Sequence, residues 1–168
     1  MTTKEKLLHI SFQTFLNNGY ENTSMNDLVK ASGLSKGAFY HYYPNKQALY
    51  AAVINTYFLS YYQNIPWESF EKISFNELEI KIKSFYINFV QSISAISNNG
   101  LANYYIMFFE ASKYHPEFIG EIQKFYFKLH KILERTIQKE NLNINPLSLL
   151  SKYEGLLFWL LIFPDRKI

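Results

Sequence analysis

The apolar residues of this chain recur at helical rather than alternating spacing. Leu8, Phe12 and Phe15 fall four and three positions apart, so they share one face of a helix. Gly19 follows Asn18 and can adopt the left-handed conformation that closes a helix. We therefore predict a first helix over residues 3–18.

The next predicted helices are short because turn residues interrupt them. Ser24 begins a second helix and forms an approximate capping box with the aspartate three positions later, and Gly33 ends that helix. Ser35 can cap a third helix, which Pro44 terminates. The apolar pattern then predicts a fourth helix over residues 45–62.

The rest of the chain keeps the helical pattern, with no alternating strand, repeat or low-complexity tract. Breaks rich in asparagine, glycine and proline divide it, and they predict helices at about 75–97, 101–113, 116–140 and 146–163. The predicted fold class is therefore all-α. It has an N-terminal three-helix helix-turn-helix head at 1–44, a linking helix at 45–62, and a C-terminal bundle of four to five helices that forms a second domain at 63–168.

The composition excludes several classes of function. Hydrophobic residues make up 48% of the chain and charged residues 18%, which fits a folded globule. The absence of cysteine excludes disulfides, thiolate metal sites and cysteine nucleophiles. The N-terminus is not a signal peptide, and the longest apolar run, Leu156–Phe163, is far shorter than the ~20 residues of a membrane span. We expect a soluble cytoplasmic protein that does not bind a membrane.

Candidate catalytic chemistry is sparse. The four histidines are scattered, and no HExxH, GxSxG or glycine-rich phosphate loop occurs. The Glu-x-x-His pairs of di-iron bundles are also absent. We therefore expect a protein that is not an enzyme and that uses no cofactor or metal.

The third predicted helix carries side chains that suit a DNA major groove. Lys36 in its first turn can reach a phosphate or a guanine edge. Gly37 and Ala38 allow a close approach of the backbone, while Tyr40 and Tyr42 can bind phosphates or pack on a thymine methyl group. The formal net charge of +3 permits nucleic-acid binding but does not demonstrate it.

Residues beside this helix complete the candidate DNA surface. Helix starts supply hydroxyls and backbone amides for phosphates, and Lys46 at the start of the fourth helix can clamp a DNA backbone. Phe39 and Tyr43 are expected in the core, whereas His41 and Tyr42 suit either DNA contact or surface packing. The DNA-binding candidates are Ser24, Met25, Ser35, Lys36, Gly37, Ala38, Tyr40, His41, Tyr42 and Lys46.

The order of turns and side chains in the head is specific. In sequence order it reads Gly19-Tyr20, Thr23-Ser24, Ala31-Ser32-Gly33-Leu34-Ser35, Lys36-Gly37-Ala38-Phe39-Tyr40 and Tyr42-Tyr43, with Lys46 and Leu49 beyond. Over residues 5–50 this order resembles the DNA-binding domain of the TetR/AcrR family of one-component transcriptional regulators. The chain departs from residues common in that family at Ser11, Val29, Tyr42 and Tyr43. The resemblance implies a regulator whose second domain binds a small inducer.

Helix 101–112 dominates the predicted second domain. It is apolar nearly all round, which predicts a central and enclosed position. The resemblance implies that this region lines the inducer cavity, where aromatic walls favour a flat or lipophilic ligand and tyrosines can also take a cation. Each aromatic side chain can instead fill the core, and Glu110 can serve a cationic ligand, a lysine or solvent. The ligand-binding candidates are Tyr61, Trp67, Phe85, Phe89, Tyr104, Tyr105, Phe108, Glu110 and Phe125, with Tyr57 and Tyr62 as further walls.

The apolar run Leu156–Phe163 bears on oligomeric state. Exposed, it would form a large apolar patch, so either the bundle or a second subunit is expected to cover it. The resemblance implies dimers built from two C-terminal helices, of which 146–163 looks like the first. The second is not apparent, so we expect a homodimer with a reduced or altered interface.

Together these features predict a homodimeric repressor that leaves a palindromic DNA operator when a small lipophilic or aromatic ligand binds. Two alternatives remain open from the sequence. One is an interaction protein, or truncated family member, that acts through protein contacts without ligand-controlled DNA binding. The other is a ligand carrier with a vestigial head.

Overall fold

A computed structural model describes residues 1–165, apart from the side chain of Tyr61. All regular secondary structure in residues 1–165 is helical, which confirms the predicted all-α class. The helices are α1 (Thr3–Asn18), α2 (Met25–Ser32), α3 (Lys36–Tyr42), α4 (Lys46–Val53), α5 (Ser60–Gln63), α6 (Trp67–Phe70), α7 (Phe75–Ile96), α8 (Leu101–Tyr114), α9 (Phe118–Lys139) and α10 (Pro146–Ile162), and a π-helical segment (Ile54–Phe58) joins α4 to α5.

The head, α1 to α3, is shaped by its caps and turns. Ser24 and Asp27 form a complete capping box at the start of α2, and Ser35 Oγ accepts a hydrogen bond from Ala38 N at the start of α3. Gly33 between them has φ +68°, a conformation that favours glycine in the turn. Leu28 and Phe39 are fully buried, so the two short helices are anchored in the core of the head.

The linking segment differs from the continuous helix predicted over 45–62. After α4 the backbone takes a π-helical turn, in which Leu59 N donates to Ile54 O at 2.8 Å. The extra residue of a π turn changes the direction of the side chains around it. Here Tyr57 stacks on Phe12 of α1, and Phe58 stacks on Tyr104 of α8, so packing against both neighbours explains why simple periodicity missed the turn.

The body, α6 to α10, packs its long helices around an aromatic core. The prediction that helix 101–112 is enclosed is wrong. The buried side of α8 carries Leu101, Tyr104 and Met107, while Ile106 and Phe109 on its other side are 52% and 66% exposed. An all-apolar helix therefore lies at the surface of this chain.

Polar contacts fix the head on the body, and those of Asn17 and Glu110 are examples. The amide of Asn17 in α1 bridges to the turn after α7: its Nδ2 donates to Ile96 O at 3.2 Å, and its Oδ1 accepts from Asn98 N at 2.7 Å. Glu110 Oε2 of α8 accepts a hydrogen bond from Tyr20 N at 2.7 Å. The α1–α2 turn is therefore held directly by the body.

Among residues 1–165, no helix is both long and apolar enough to cross a bilayer. These residues also contain no cluster of three or more histidine, cysteine, aspartate or glutamate side chains able to hold a metal ion.

Candidate functional site

Helix α3 presents one continuous exposed face. Phe39 and Tyr43 turn inward and are buried, as their spacing predicts. The burial of these two rings fixes the orientation of α3 and leaves the opposite face free. The residues exposed on that face are Ser35, Lys36, Gly37, Ala38, Tyr40 and His41.

The first turn of this face is free of obstruction. A Cβ atom added at Gly37 would have no atom within 4 Å, so packing inside this chain does not require a glycine there. Lys36 is exposed, and its Nζ lies 6.0 Å from the centre of the Tyr40 ring. An unobstructed backbone beside a lysine and a tyrosine is compatible with insertion of the helix into a DNA groove.

The flanking DNA-binding candidates differ in exposure and in the hydrogen bonds that they already form. Met25 and Tyr42 are half-buried and pack against the core, whereas His41 beside Tyr42 is exposed. Ser24 is exposed, but its hydroxyl already donates to Asp27 Oδ2 at 2.5 Å. Lys46 Nζ donates to Tyr20 O at 2.8 Å and lies 4.2 Å from the Tyr20 ring centre. Its ammonium group therefore already binds the α1–α2 turn of the same chain.

The Asp27 carboxylate is part of this capping arrangement. Hydrogen bonds from the side chain and backbone of Ser24 lower the pKa of Asp27. The carboxylate therefore stays ionised and caps the start of α2.

The body contains a cavity of about 240 Å³ between α5, α7, α8, α9 and α10. Six of the predicted wall residues line it, together with five residues outside the predicted set. The predicted residues are Tyr62, Phe85, Phe89, Tyr104, Tyr105 and Phe108, and the others are Tyr86, Phe109, Tyr126, Glu154 and Leu157.

Three predicted residues lie elsewhere. Trp67 and Phe125 pack together, with ring centres 5.5 Å apart, around a smaller cavity of about 40 Å³ beside the first. Glu110 does not line the 240 Å³ cavity, because its carboxylate is used by Tyr20 N. The side chain of Tyr61, the remaining predicted residue, lies outside the part of the chain that the structure describes.

The carboxylate of the cavity is Glu154 of α10, which the sequence analysis missed. Its Oε1 accepts hydrogen bonds from both Tyr86 and Tyr126. Glu154 is the one acidic residue between Pro146 and Phe163, and that isolation in an apolar helix was the available signal. Its pairing with tyrosines of α7 and α9 required the packing of three helices.

The tyrosines of the cavity carry neutral hydroxyls. Burial raises the pKa of Tyr62, Tyr86, Tyr104 and Tyr126 above the usual range, and Glu154 raises it further. Burial and Glu154 raise the pKa of Tyr105 to about 12. These hydroxyls therefore remain protonated near neutral pH and can donate hydrogen bonds.

The cavity wall touches the segment that leads to the head. Tyr104 stacks on Phe58 of the π-helical segment with ring centres 4.9 Å apart, and its hydroxyl bonds to that of Tyr62 at 2.8 Å. One residue before Phe58, Tyr57 stacks on Phe12 of α1, again at 4.9 Å. Aromatic contacts thus run from the cavity to the first helix of the head.

Comparison with known proteins places the head in a described group. Residues 7–53 match the family model described as bacterial regulatory proteins, tetR family. This range covers all of α2, α3 and α4 and most of α1. It includes every predicted DNA-binding residue.

Two relatives from Bacillus subtilis extend the comparison. The uncharacterized HTH-type transcriptional regulator YuxN is 41% identical over 59 residues, which cover 34% of this chain but only 20% of YuxN. The uncharacterized HTH-type transcriptional regulator YvaF is 32% identical over 158 residues, which cover 90% of this chain and 77% of YvaF. The similarity to YvaF therefore includes the body as well as the head.

The fold is shared with a solved structure of similar length. A transcriptional regulator of the TetR family from Cytophaga hutchinsonii superposes with a TM-score of 0.68 over 98% of this chain and 86% of that chain. The sequence identity is 18%, so this likeness concerns the fold.

Proposed function

Because the chain belongs to the TetR family of bacterial transcriptional regulators, we propose that it represses transcription by binding a two-fold symmetric DNA operator, and that a small lipophilic or aromatic molecule releases it. The proposal assigns DNA binding to the head, which the linking segment extends. It assigns ligand binding and dimerisation to the body. Occupation of the operator excludes other proteins from the same DNA.

The exposed face of α3 is the observation that carries this proposal. Lys36, Tyr40 and His41 project from it, and the space beside Gly37 is open. A glycine inside a helix is unfavourable by about 0.5–1 kcal/mol relative to alanine, and nothing packed against Gly37 in this chain compensates for that. Close approach to a DNA backbone or base edge gives the glycine a role.

An exposed apolar stripe on α10 supports the homodimer. Phe158, Trp159, Ile162 and Phe163 are each at least 42% exposed, and they are one helical turn apart in pairs. A second copy of the chain would bury this stripe, and a two-fold dimer presents two α3 helices to the two halves of a palindromic operator.

Ligand release requires that the ligand prefer the conformation that does not bind DNA. The aromatic contacts from Tyr104 through Phe58 to α1 support a path for this preference. A ligand that displaces Tyr104 would shift the linking segment and change the spacing of the two α3 helices. The response is a population shift between two arrangements of the dimer.

Selection from random duplex DNA tests the proposal. The purified full-length protein is mixed with a pool of random duplexes, and bound DNA is recovered and amplified over several rounds. We expect one enriched motif with two inverted half-sites whose centres lie about 10 base pairs, or a multiple of that, apart. Half-sites at helical-turn spacing would match two α3 helices on one side of the DNA.

A pool that yields no enriched motif, at low salt as well as at physiological salt, would contradict sequence-specific binding. That result would favour a protein that keeps the head but acts through protein contacts. A motif with a single, non-repeated half-site would contradict the two-fold arrangement only.

A further inference from the structure

Glu154 is the only charged side chain among the eleven residues that line the 240 Å³ cavity, and nine of the others are aromatic. The carboxylate is half-buried in the middle of α10. An ionised group is expensive to hold in such surroundings unless an opposite charge or several hydrogen bonds compensate for the lost water.

The hydrogen bonds that Glu154 receives come from neutral groups. Tyr86 and Tyr126 both donate to the same oxygen, Oε1. Because both donors are neutral hydroxyls, neither supplies a positive charge to pair with the carboxylate. Within residues 1–165 no lysine, arginine or histidine forms an ion pair with Glu154.

The charge acts on the whole cavity. The negative charge of Glu154 contributes to the raised pKa of Tyr62, Tyr104 and Tyr105, which lie on α5 and α8 across from α10. The faces of aromatic rings are themselves attractive to cations, and such attraction grows when water is excluded. A carboxylate held by two tyrosines within aromatic walls therefore combines two sources of attraction for positive charge.

From this arrangement we infer that the cavity binds a small lipophilic cation, an ammonium group with an aromatic or alkyl substituent, with Glu154 as its counter-ion. The inference rests on the proposed function, because this cation would be the ligand that releases the DNA. The two tyrosines both bind Oε1, so the inference assigns Oε2 to the cation. The remaining rings enclose the apolar part of the ligand.

The size and access of the cavity agree with a ligand of this kind. A volume of about 240 Å³ lies just below the range of drug-sized sites, so the ligand is small. Tyr126 and Glu154 also line a wider groove of about 700 Å³ between α9 and α10, whose other polar lining residues are Gln123, His130 and Ser151. Glu154 thus lies between the groove and the cavity, which gives a ligand a way to the carboxylate.

A neutral aromatic ligand is the competing occupant, and a matched pair of probes separates the two. Benzyltrimethylammonium and neopentylbenzene have the same shape, but the first carries a quaternary nitrogen where the second carries carbon. Each is titrated into the full-length protein by calorimetry without DNA. We expect the wild-type protein to bind the cation at least about tenfold more tightly than its neutral analogue.

Three variants assign the preference to Glu154. Glu154→Gln keeps the shape of the side chain and is expected to weaken cation binding about tenfold while leaving neopentylbenzene unaffected. Glu154→Asp keeps the charge and is expected to keep the preference for the cation. Glu134→Gln removes an exposed carboxylate of α9 that does not line the cavity, and it is expected to change neither affinity.

Equal binding of the two probes by the wild-type protein, or no binding of the cation, would overturn the inference without any variant. So would a Glu154→Gln protein that keeps its full preference for the cation. Because no DNA is present, failure here is separate from failure to select an operator. An enriched operator with no cation binding would overturn only this inference, and cation binding without an operator would overturn only the proposed repression.

Discussion

Among single residues, Gly37 is important for the proposed DNA surface because it has no side chain. Gly37 lies in the first turn of α3 between two exposed residues, with open space where a side chain would go. We expect the glycine to lower the stability of this chain and to favour contact with DNA. A substitution there should therefore move stability and function in opposite directions.

Gly37→Ala is expected to raise stability by about 0.5 kcal/mol, since alanine favours the helix and meets no atom. The same methyl group is expected to weaken operator binding by keeping α3 away from the DNA. Thermal unfolding and a gel-shift titration measure the two effects.

Gly120→Ala is the matched control, because Gly120 is also near a helix start with free space at its Cβ. This variant should leave DNA binding unchanged. Unchanged DNA binding in Gly37→Ala would remove α3 from the interface.

The sequence predicts some of the residues that line the cavity and misses others. Tyr104, Tyr105 and Phe108 are predictable because a largely apolar, aromatic helix is visible in the sequence, and all three line the cavity. The sequence also offers Glu110 as a carboxylate for a ligand, because it lies two positions after Phe108. Two steps along a helix rotate a side chain by about 200°, and this rotation takes Glu110 to the α1–α2 turn. Glu154 becomes a neighbour of these rings only once α10 packs on α7 and α9.

At the scale of the elements, α8 connects the cavity to the head. Its Tyr104 and Phe108 line the cavity, its Met107 carbonyl accepts a hydrogen bond from Tyr50 of α4 at 3.4 Å, and its Glu110 holds the backbone of Tyr20. A displacement of α8 would therefore reach the head by two routes, the linking segment and the α1–α2 turn.

Glu110→Ala is expected to lower the free energy of unfolding by about 1–3 kcal/mol, because Tyr20 N loses its acceptor in a half-buried turn. Glu110→Gln keeps a carbonyl oxygen as acceptor and should lose less. Urea unfolding of the three proteins measures the order of stability. If the alanine variant is as stable as the wild type, the contact does not hold the head on the body.

Helix boundaries were largely predictable, whereas deviations within helices were not. Caps and breakers such as Ser24, Gly33 and Ser35 act locally, so the bounds of α1 to α3 follow from the sequence. The π-helical turn at Ile54–Phe58 depends on partners far along the chain, among them His115, whose Nε2 lies 3.1 Å from Asn55 Oδ1. Nor does the apolar pattern of α8 reveal that Phe109 stays exposed.

For the whole molecule, the proposed binding of a two-fold operator requires two copies of the chain. One head offers a single α3, whereas a palindromic operator presents two half-sites. The exposed stripe of α10 is the surface that would join the copies, and Trp159 is its largest side chain, packed on Phe163 with ring centres 4.4 Å apart.

Trp159→Glu is expected to shift the protein from dimer to monomer, because a charge cannot be buried in an apolar interface without a partner. Sedimentation velocity over a range of protein concentrations measures the change. Binding to the full operator should weaken at least tenfold, since the second head no longer contributes. Ile80→Glu is the control, because Ile80 is an apolar residue of α7 that is 64% exposed outside the stripe. A Trp159→Glu protein that remains dimeric would exclude this stripe as the interface.

We propose that α3 reads DNA, and this claim is tested by the affinity of the protein for a selected operator and for a scrambled duplex across a salt series. By fluorescence anisotropy between about 50 and 200 mM salt, the wild type should prefer the operator by roughly 10³. Lys36→Ala should bind both duplexes more weakly, with a salt slope smaller by about 1, while Lys83→Ala, at an exposed lysine of α7, should match the wild type. Equal affinity of the wild type for both duplexes, or an unchanged slope in Lys36→Ala, would contradict the claim.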